Sequence, residues 1–207
     1  MLPLCTPNLT IRREIEKSTS ATLTTLESKL SNIINLTLTA TLNWVSKCLS
    51  QQRKTDFRPK DEDEAILASE TPACQSVTQF LTRVATQSTG ALDGRNLHLF
   101  LAELARGLRG LVLEHLRKFT VSLTGGLVIS KDMAKYAELV RGWPTGEELE
   151  PGAINVLVDV GHLFVVGPEA LKERLRTAGP DAAELKSFIL KREDAQSVGV
   201  QVVLNAI

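Results

Sequence analysis

None of the 13 glycines in this 207-residue chain precedes Gly90. The same stretch holds only Pro3, Pro7, Pro59 and Pro72, so tight turns have little material there and long helices are expected. Aromatics are scarce, at six Phe, two Trp and one Tyr, which speaks against aromatic-rich β-sandwiches. Neither sign of charge dominates: 24 basic and 24 acidic residues cancel. A nucleic-acid partner would require a basic footprint, so none is expected. Cys5, Cys48 and Cys74 are odd in number and far apart, with no CxxC or Cys/His cluster. Neither a disulfide framework nor a structural zinc is supported, and a reducing, intracellular setting is expected. No window reaches 18 consecutive apolar residues, and Met1-Leu-Pro-Leu-Cys5 lacks a basic start, so neither a membrane span nor a signal peptide is expected.

What the chain does contain is helical periodicity. From Leu9 to Leu49, apolar residues recur at spacings of three and four: Ile15, Leu23, Leu26, Leu30, Ile33, Leu38, Leu42, Val45 and Leu49 among them. A helix of about 40 residues would be roughly 60 Å long. Its many threonines disfavour it in isolation, so packing against partners must support it. Residues 51–70, with the acidic run Asp61-Glu-Asp-Glu64, read as a charged connector. Thr71-Pro72 then reads as an N-cap with proline at the first helical position.

A second helix is expected to reach about Gly90. A third carries Leu97, Leu101, Leu104, Leu108, Leu111, Val112, His115, Leu116 and Phe119, with Gly107 and Gly110 offering sites of close helix approach. Gly125-Gly126 reads as a break, and Ser130 as the cap of the next helix. Thr145-x-x-Glu148 has the form of a capping box opening another. Gly167-Pro168 and Asp181-x-x-Glu184 start two short helices, and Val198–Ile207 either extends the last or frays. The sum is seven or eight helices and no convincing sheet. The expected fold is all-α, an elongated stack of antiparallel helical bundles. Its divisions are a long amphipathic helix (1–50), the charged connector (51–70), a middle bundle (71–143) and a C-terminal bundle (144–207).

A search for chemistry finds little. No glycine fingerprint, Walker lysine, GxSxG or HExxH is present. His98, His115 and His162 are scattered, and His115 reads as a core or boundary residue rather than a base. No catalytic, cofactor-binding or metal-ligating residue is assigned. Trp44, Phe57 and Trp143 are candidate packing or interface anchors. Arg53, Lys54, Arg58 and Lys60 form a weak basic patch among acidic neighbours. It keeps open a phosphoinositide-contacting module as an alternative, beside a small helical enzyme or regulator.

Several segments, in order, resemble one family. They are Lys54-Thr-Asp-Phe-Arg-Pro-Lys60 after a helix bearing Asn43-Trp44-Val45, then Thr71-Pro-Ala-Cys74, Leu92-Asp-Gly-Arg-Asn96 and Glu114-His-Leu-Arg-Lys-Phe119. Gly125-Gly-Leu, Ser130-Lys-Asp-Met with Tyr136, the run Gly161-His-Leu-Phe-Val-Val-Gly-Pro-Glu-Ala-Leu171, Leu185-Lys-Ser-Phe188 and Lys191-Arg-Glu-Asp194 continue it. Together they resemble the C-terminal portion of the exocyst component 5 family in its fungal form. The resemblance implies a rod of stacked helical bundles, as in other multisubunit tethers, and a non-enzymatic scaffold without cofactors. It also implies other exocyst subunits as partners, and a cytoplasmic, peripheral place at plasma-membrane sites of polarised secretion, where vesicles are tethered before fusion. Contact with the membrane itself would be weak or indirect. Family members are several times longer and pair through an N-terminal coiled region.

Overall fold

A computed structural model describes residues 8–59, 69–178 and 182–205. Among these are eight α-helices: α1 Leu9–Leu49, α2 Pro72–Ala91, α3 Gly94–Leu116, α4 Leu123–Arg141, α5 Asn155–Leu163, α6 Pro168–Ala178, α7 Ala182–Ile189 and α8 Val198–Asn205. A short 3-10 turn, Gly146–Glu148, lies between α4 and α5. The fold is all-α. Extended pairing among the described residues is limited to an isolated parallel bridge between Val121 and Arg192.

The chain divides into two compact units, Met1–Ala40 and Thr41–Ile207. In the first, α1 is capped by Asn8, whose side-chain oxygen accepts from the amides of Thr10 and Ile11 at 3.2 Å. Within the threonine-rich stretch, hydroxyls turn back onto the helix and do not compete with it for backbone amides. Thr22, Thr24, Thr25 and Thr39 each donate to the carbonyl four residues back, at 2.9–3.0 Å. Leu23, Leu26, Leu30 and Ile33 remain exposed.

In the second unit, α2 packs on α3 and α4, α4 on α5, α5 on α7, and α6 on α7 and α8. α3 buries the stripe that its sequence announces: Leu97, Leu101, Leu104, Leu108, Val112 and Leu116 are all buried. Leu111 and His115, on the edge of that stripe, are half-buried. Thr71 caps α2, accepting from the Cys74 amide at 3.2 Å, with Pro72 in the first turn as expected.

Four local expectations are corrected. Gly125-Gly126 does not break a helix. α4 starts at Leu123, capped by Ser122, whose hydroxyl accepts from the Gly125 amide at 3.1 Å; Ser130 lies within it. The two glycines are there because backbone passes against them. A Cβ on Gly126 would lie 2.5 Å from the Phe164 carbonyl oxygen, and one on Gly125 would overlap the Phe57 carbonyl. Secondly, Thr145-x-x-Glu148 forms no capping box. Thr145 makes no side-chain cap bond, the turn is 3-10, and α5 starts only at Asn155, past Pro151-Gly152. Thirdly, Gly110 faces open space, whereas Gly107 does meet a neighbour, the Leu42 side chain. Fourthly, the last apolar run forms a separate helix, α8, which buries Val200 and Val203. The expected Asp181 cap lies outside the described residues.

Candidate functional site

The residues singled out from the sequence do not converge. Trp44 is half exposed, its ring tilted against Phe80 at 6.0 Å and covered from one side by the Lys47 ammonium at 5.3 Å. The two rings border a shallow groove that also involves Cys48, Ser76, Gln79 and Arg83. Phe57 is buried edge-on to Phe119, with centroids 5.1 Å apart. Its carbonyl accepts from the Ser122 amide at 3.0 Å, at the start of α4. Trp143 is buried just beyond the end of α4.

Of the basic residues, Arg53, Lys54 and Arg58 are exposed. The Asp56 carboxylate accepts from the Arg53 amide, and Arg58 pairs with Glu193. Lys54 lines a different cavity, together with His115. Lys60 lies outside the described residues.

The strongly perturbed ionisable groups are buried structural ones. Asp132 on α4 is buried against the start of α2. One carboxylate oxygen accepts from the Thr71 amide at 2.9 Å and the other from the Thr71 hydroxyl at 2.7 Å. Burial pushes this carboxyl up to about 6, while the Thr71 hydrogen bonds pull it down. The neighbouring Cys74 thiol and Tyr136 phenol are both raised, chiefly by burial and then by the charges around them. A thiol held protonated is a poor nucleophile, and the Asp132 bonds to Thr71 join α4 to the start of α2. Burial, helped by Lys118, lowers His115 to about 4, leaving the imidazole neutral at physiological pH. Among the described residues, no three His, Cys, Asp or Glu side chains gather to hold a metal, and no helix is long and apolar enough to cross a membrane.

Sequence reasoning missed Asp132 and Arg192. Asp132 had a signal: it is the acidic residue on a stripe otherwise made of Ile129, Met133, Tyr136 and Val140. Arg192 had none. Its buried guanidinium donates to the Leu163 and Val166 carbonyls at 2.6 and 2.7 Å, past the end of α5, and grips Asp194 with two further nitrogens. Its backbone neighbourhood forms the bridge to Val121. Among the described residues, Asp132 and Arg192 join separate segments through buried hydrogen bonds, and α1 exposes Leu23, Leu26, Leu30 and Ile33.

Residues 1–204 match the family model described as "Exocyst complex component Sec10-like, alpha-helical bundle". The chain is 30% identical over 198 residues to exocyst complex component SEC10 of Saccharomyces cerevisiae, covering 93% of this chain and 22% of that protein. It is 32% identical over 160 residues to exocyst complex component 5 of Oryza sativa, covering 76% and 19%. Against human exocyst complex component 5 it is 30% identical over 176 residues, covering 83% and 24%. The chain thus spans about a fifth to a quarter of the curated relatives it matches.

Proposed function

Since the chain belongs to the exocyst complex component Sec10-like family, we propose that it acts as a non-enzymatic helical scaffold segment of the exocyst. In this reading it helps to tether secretory vesicles at the plasma membrane before fusion. Its partners are other exocyst subunits, and its place is the cytoplasmic side of sites of polarised secretion. The observation that carries the reading is the family match along residues 1–204. The exposed apolar run Leu23, Leu26, Leu30 and Ile33 on α1 supports it, because such a face suits a partner helix. Trp44, half exposed beside its groove, serves as an interface anchor, whereas buried Phe57 and Trp143 serve packing.

The test is capture of the chain from cell extract with identification of the bound proteins. Exocyst subunits are expected with the unaltered chain and are expected to be lost with Leu26→Asp plus Leu30→Asp, whose melting should be unchanged. Recovery of no exocyst subunit would overturn the reading. Loss of binding only together with loss of the fold would remove α1 as the contact.

A further inference from the structure

Trp44 on α1 and Phe80 on α2 meet with ring centroids 6.0 Å apart and planes tilted by 48°. They border a groove of about 400 Å³ that lies wholly within the second unit. Trp44 and Cys48, one turn apart, line it from α1, and Gln51 follows. Ser76, Phe80 and Arg83 line it from α2, at spacings of four and three that place them on one helix face. The walls are therefore helix side chains. Among the described residues, an extended segment would find no strand edge here to pair with, whereas a third helix can lie between two others. The rings are open to it: Trp44 is 49% exposed and Phe80 is half-buried. Tryptophan in such a place is among the side chains that most often dominate an interface.

The charges around the rings have one sign. Residues 41–52 and 71–92, which build the groove, contain no Asp or Glu, in a chain that has 24 of them. Their charged residues are Lys47 and Arg83, both exposed. The Lys47 ammonium sits 5.3 Å from the centre of the Trp44 ring, and Arg83 lines the groove itself. Neither has an ion-pair partner among the described residues. The carbonyl end of α1 and the amide end of α2 add partial charges of opposite sign, so the two side chains decide the field. A basic partner would be repelled, and a neutral one would leave both cations unanswered. A partner with carboxylates beside an apolar row meets both the rings and the cations.

We infer that the groove between Trp44 and Phe80 is a docking site for a helix of a partner protein whose apolar row is flanked by acidic residues. The row lies on the two rings, and the carboxylates face Lys47 and Arg83. This names the partner chemistry at the Trp44 anchor, and in that it rests on the scaffold reading above.

The probe is an end-blocked peptide of repeated Leu-Ala-Ala-Leu-Glu-Ala-Glu heptads, about 20 residues long so that it can hold a helix in water. It is titrated into the full chain at low salt and followed by NMR of the indole N–H groups. The chain has two, and buried Trp143 is the internal reference. A saturable shift of the Trp44 signal is expected, with Trp143 unmoved. Lys47→Glu with Arg83→Glu is expected to weaken binding by roughly tenfold or more while the melting temperature holds. The same variant should bind a peptide carrying lysine in place of glutamate more tightly than the parent does, a rescue that a damaged fold would not give. The inference is overturned by any of five results: no saturable shift, equal affinity for a glutamine version, unchanged affinity in the variant, no rescue, or a stronger Trp44 response to phosphatidylserine vesicles. Capture of exocyst subunits by a chain that binds no acidic peptide would overturn this inference alone, whereas peptide binding without such capture would overturn only the scaffold reading.

Discussion

Asp132 shows how a single residue sets the conditions of stability. Its carboxyl sits at about 6 in the folded chain against an ordinary 3.8. That gap is worth roughly 3 kcal/mol between the protonated and ionised forms. The folded state therefore binds this proton more tightly than the unfolded state. The resulting stabilisation is fully present below about pH 3.8 and is lost as the pH climbs through about 6. The groups facing it are Thr71 and Cys74 on the α2 side, Glu70 just before, and Tyr136 on its own helix. Asp132→Asn keeps an acceptor for the Thr71 amide and removes the charge. Urea unfolding between pH 4.5 and 7.5 should show a flatter profile for that variant than for the parent. Asp132→Ala leaves the Thr71 amide and hydroxyl without this partner, and should lose about 2–4 kcal/mol near neutral pH.

Arg192 makes the opposite electrostatic bargain. Its guanidinium lowers the Asp194 carboxyl, first through the hydrogen bonds, so that contribution is present above the ordinary value of 3.8 and fades as the pH falls below it. Arg192→Lys keeps the charge but has no planar fork to reach two carbonyls and a carboxylate at once. Denaturant titration is expected to show a loss of about 1–3 kcal/mol for that variant, and a larger loss for Arg192→Ala.

At the scale of the element, the glycines of the second unit divide into two kinds. Gly125 and Gly126 open α4 where the Phe57 and Phe164 backbones cross it. Gly110 lies on α3 with nothing within 4 Å of a would-be Cβ. Gly125→Ala is therefore expected to push the Phe57 segment from its place, visible as a lower melting temperature and exposure of the Phe57 ring. Gly110→Ala should stabilise by about 0.5–1 kcal/mol through helix propensity alone. Equal effects of the two substitutions in calorimetry would refute this division. The sequence separates them wrongly, with Gly125-Gly126 reading as a helix break and Gly110 as a site of close approach, because only the crossing chain distinguishes them. Leu104 was different: its place on the α3 stripe could be read directly, and it is fully buried. Leu104→Asp should abolish the cooperative melt, because an unpaired carboxylate would enter the core.

For the whole molecule, the two units differ in what they bury. The second, from Thr41 onward, holds the buried hydrophobic core from Val45 to Val203. The described part of the first presents Leu23, Leu26, Leu30 and Ile33 to solvent. A chain beginning at Thr41 is therefore expected to keep a cooperative thermal transition within roughly 2–4 °C of the parent, the shift that about 1 kcal/mol produces at this size. A non-cooperative melt would show that residues 1–40 contribute to the core. In the proposed assembly, that same truncation should abolish capture of exocyst subunits if α1 carries the contact.

The sequence alone determined the helical class, the long first helix, the Thr71-Pro72 start and the buried stripe of α3. These depend on local propensity and on a periodicity that repeats every turn, so a single chain carries the information. The tertiary structure decided where Gly125-Gly126 sits, why Thr145 caps nothing, and how Arg192 closes the end of α5. It also brought the Trp44 ring to Phe80 from another helix. Each of these depends on backbone arriving from a distant segment, and no local pattern encodes the arrival. The scarcity of glycine before Gly90 thus announced a long helix. The glycines that follow acquire their meaning only from what packs against them.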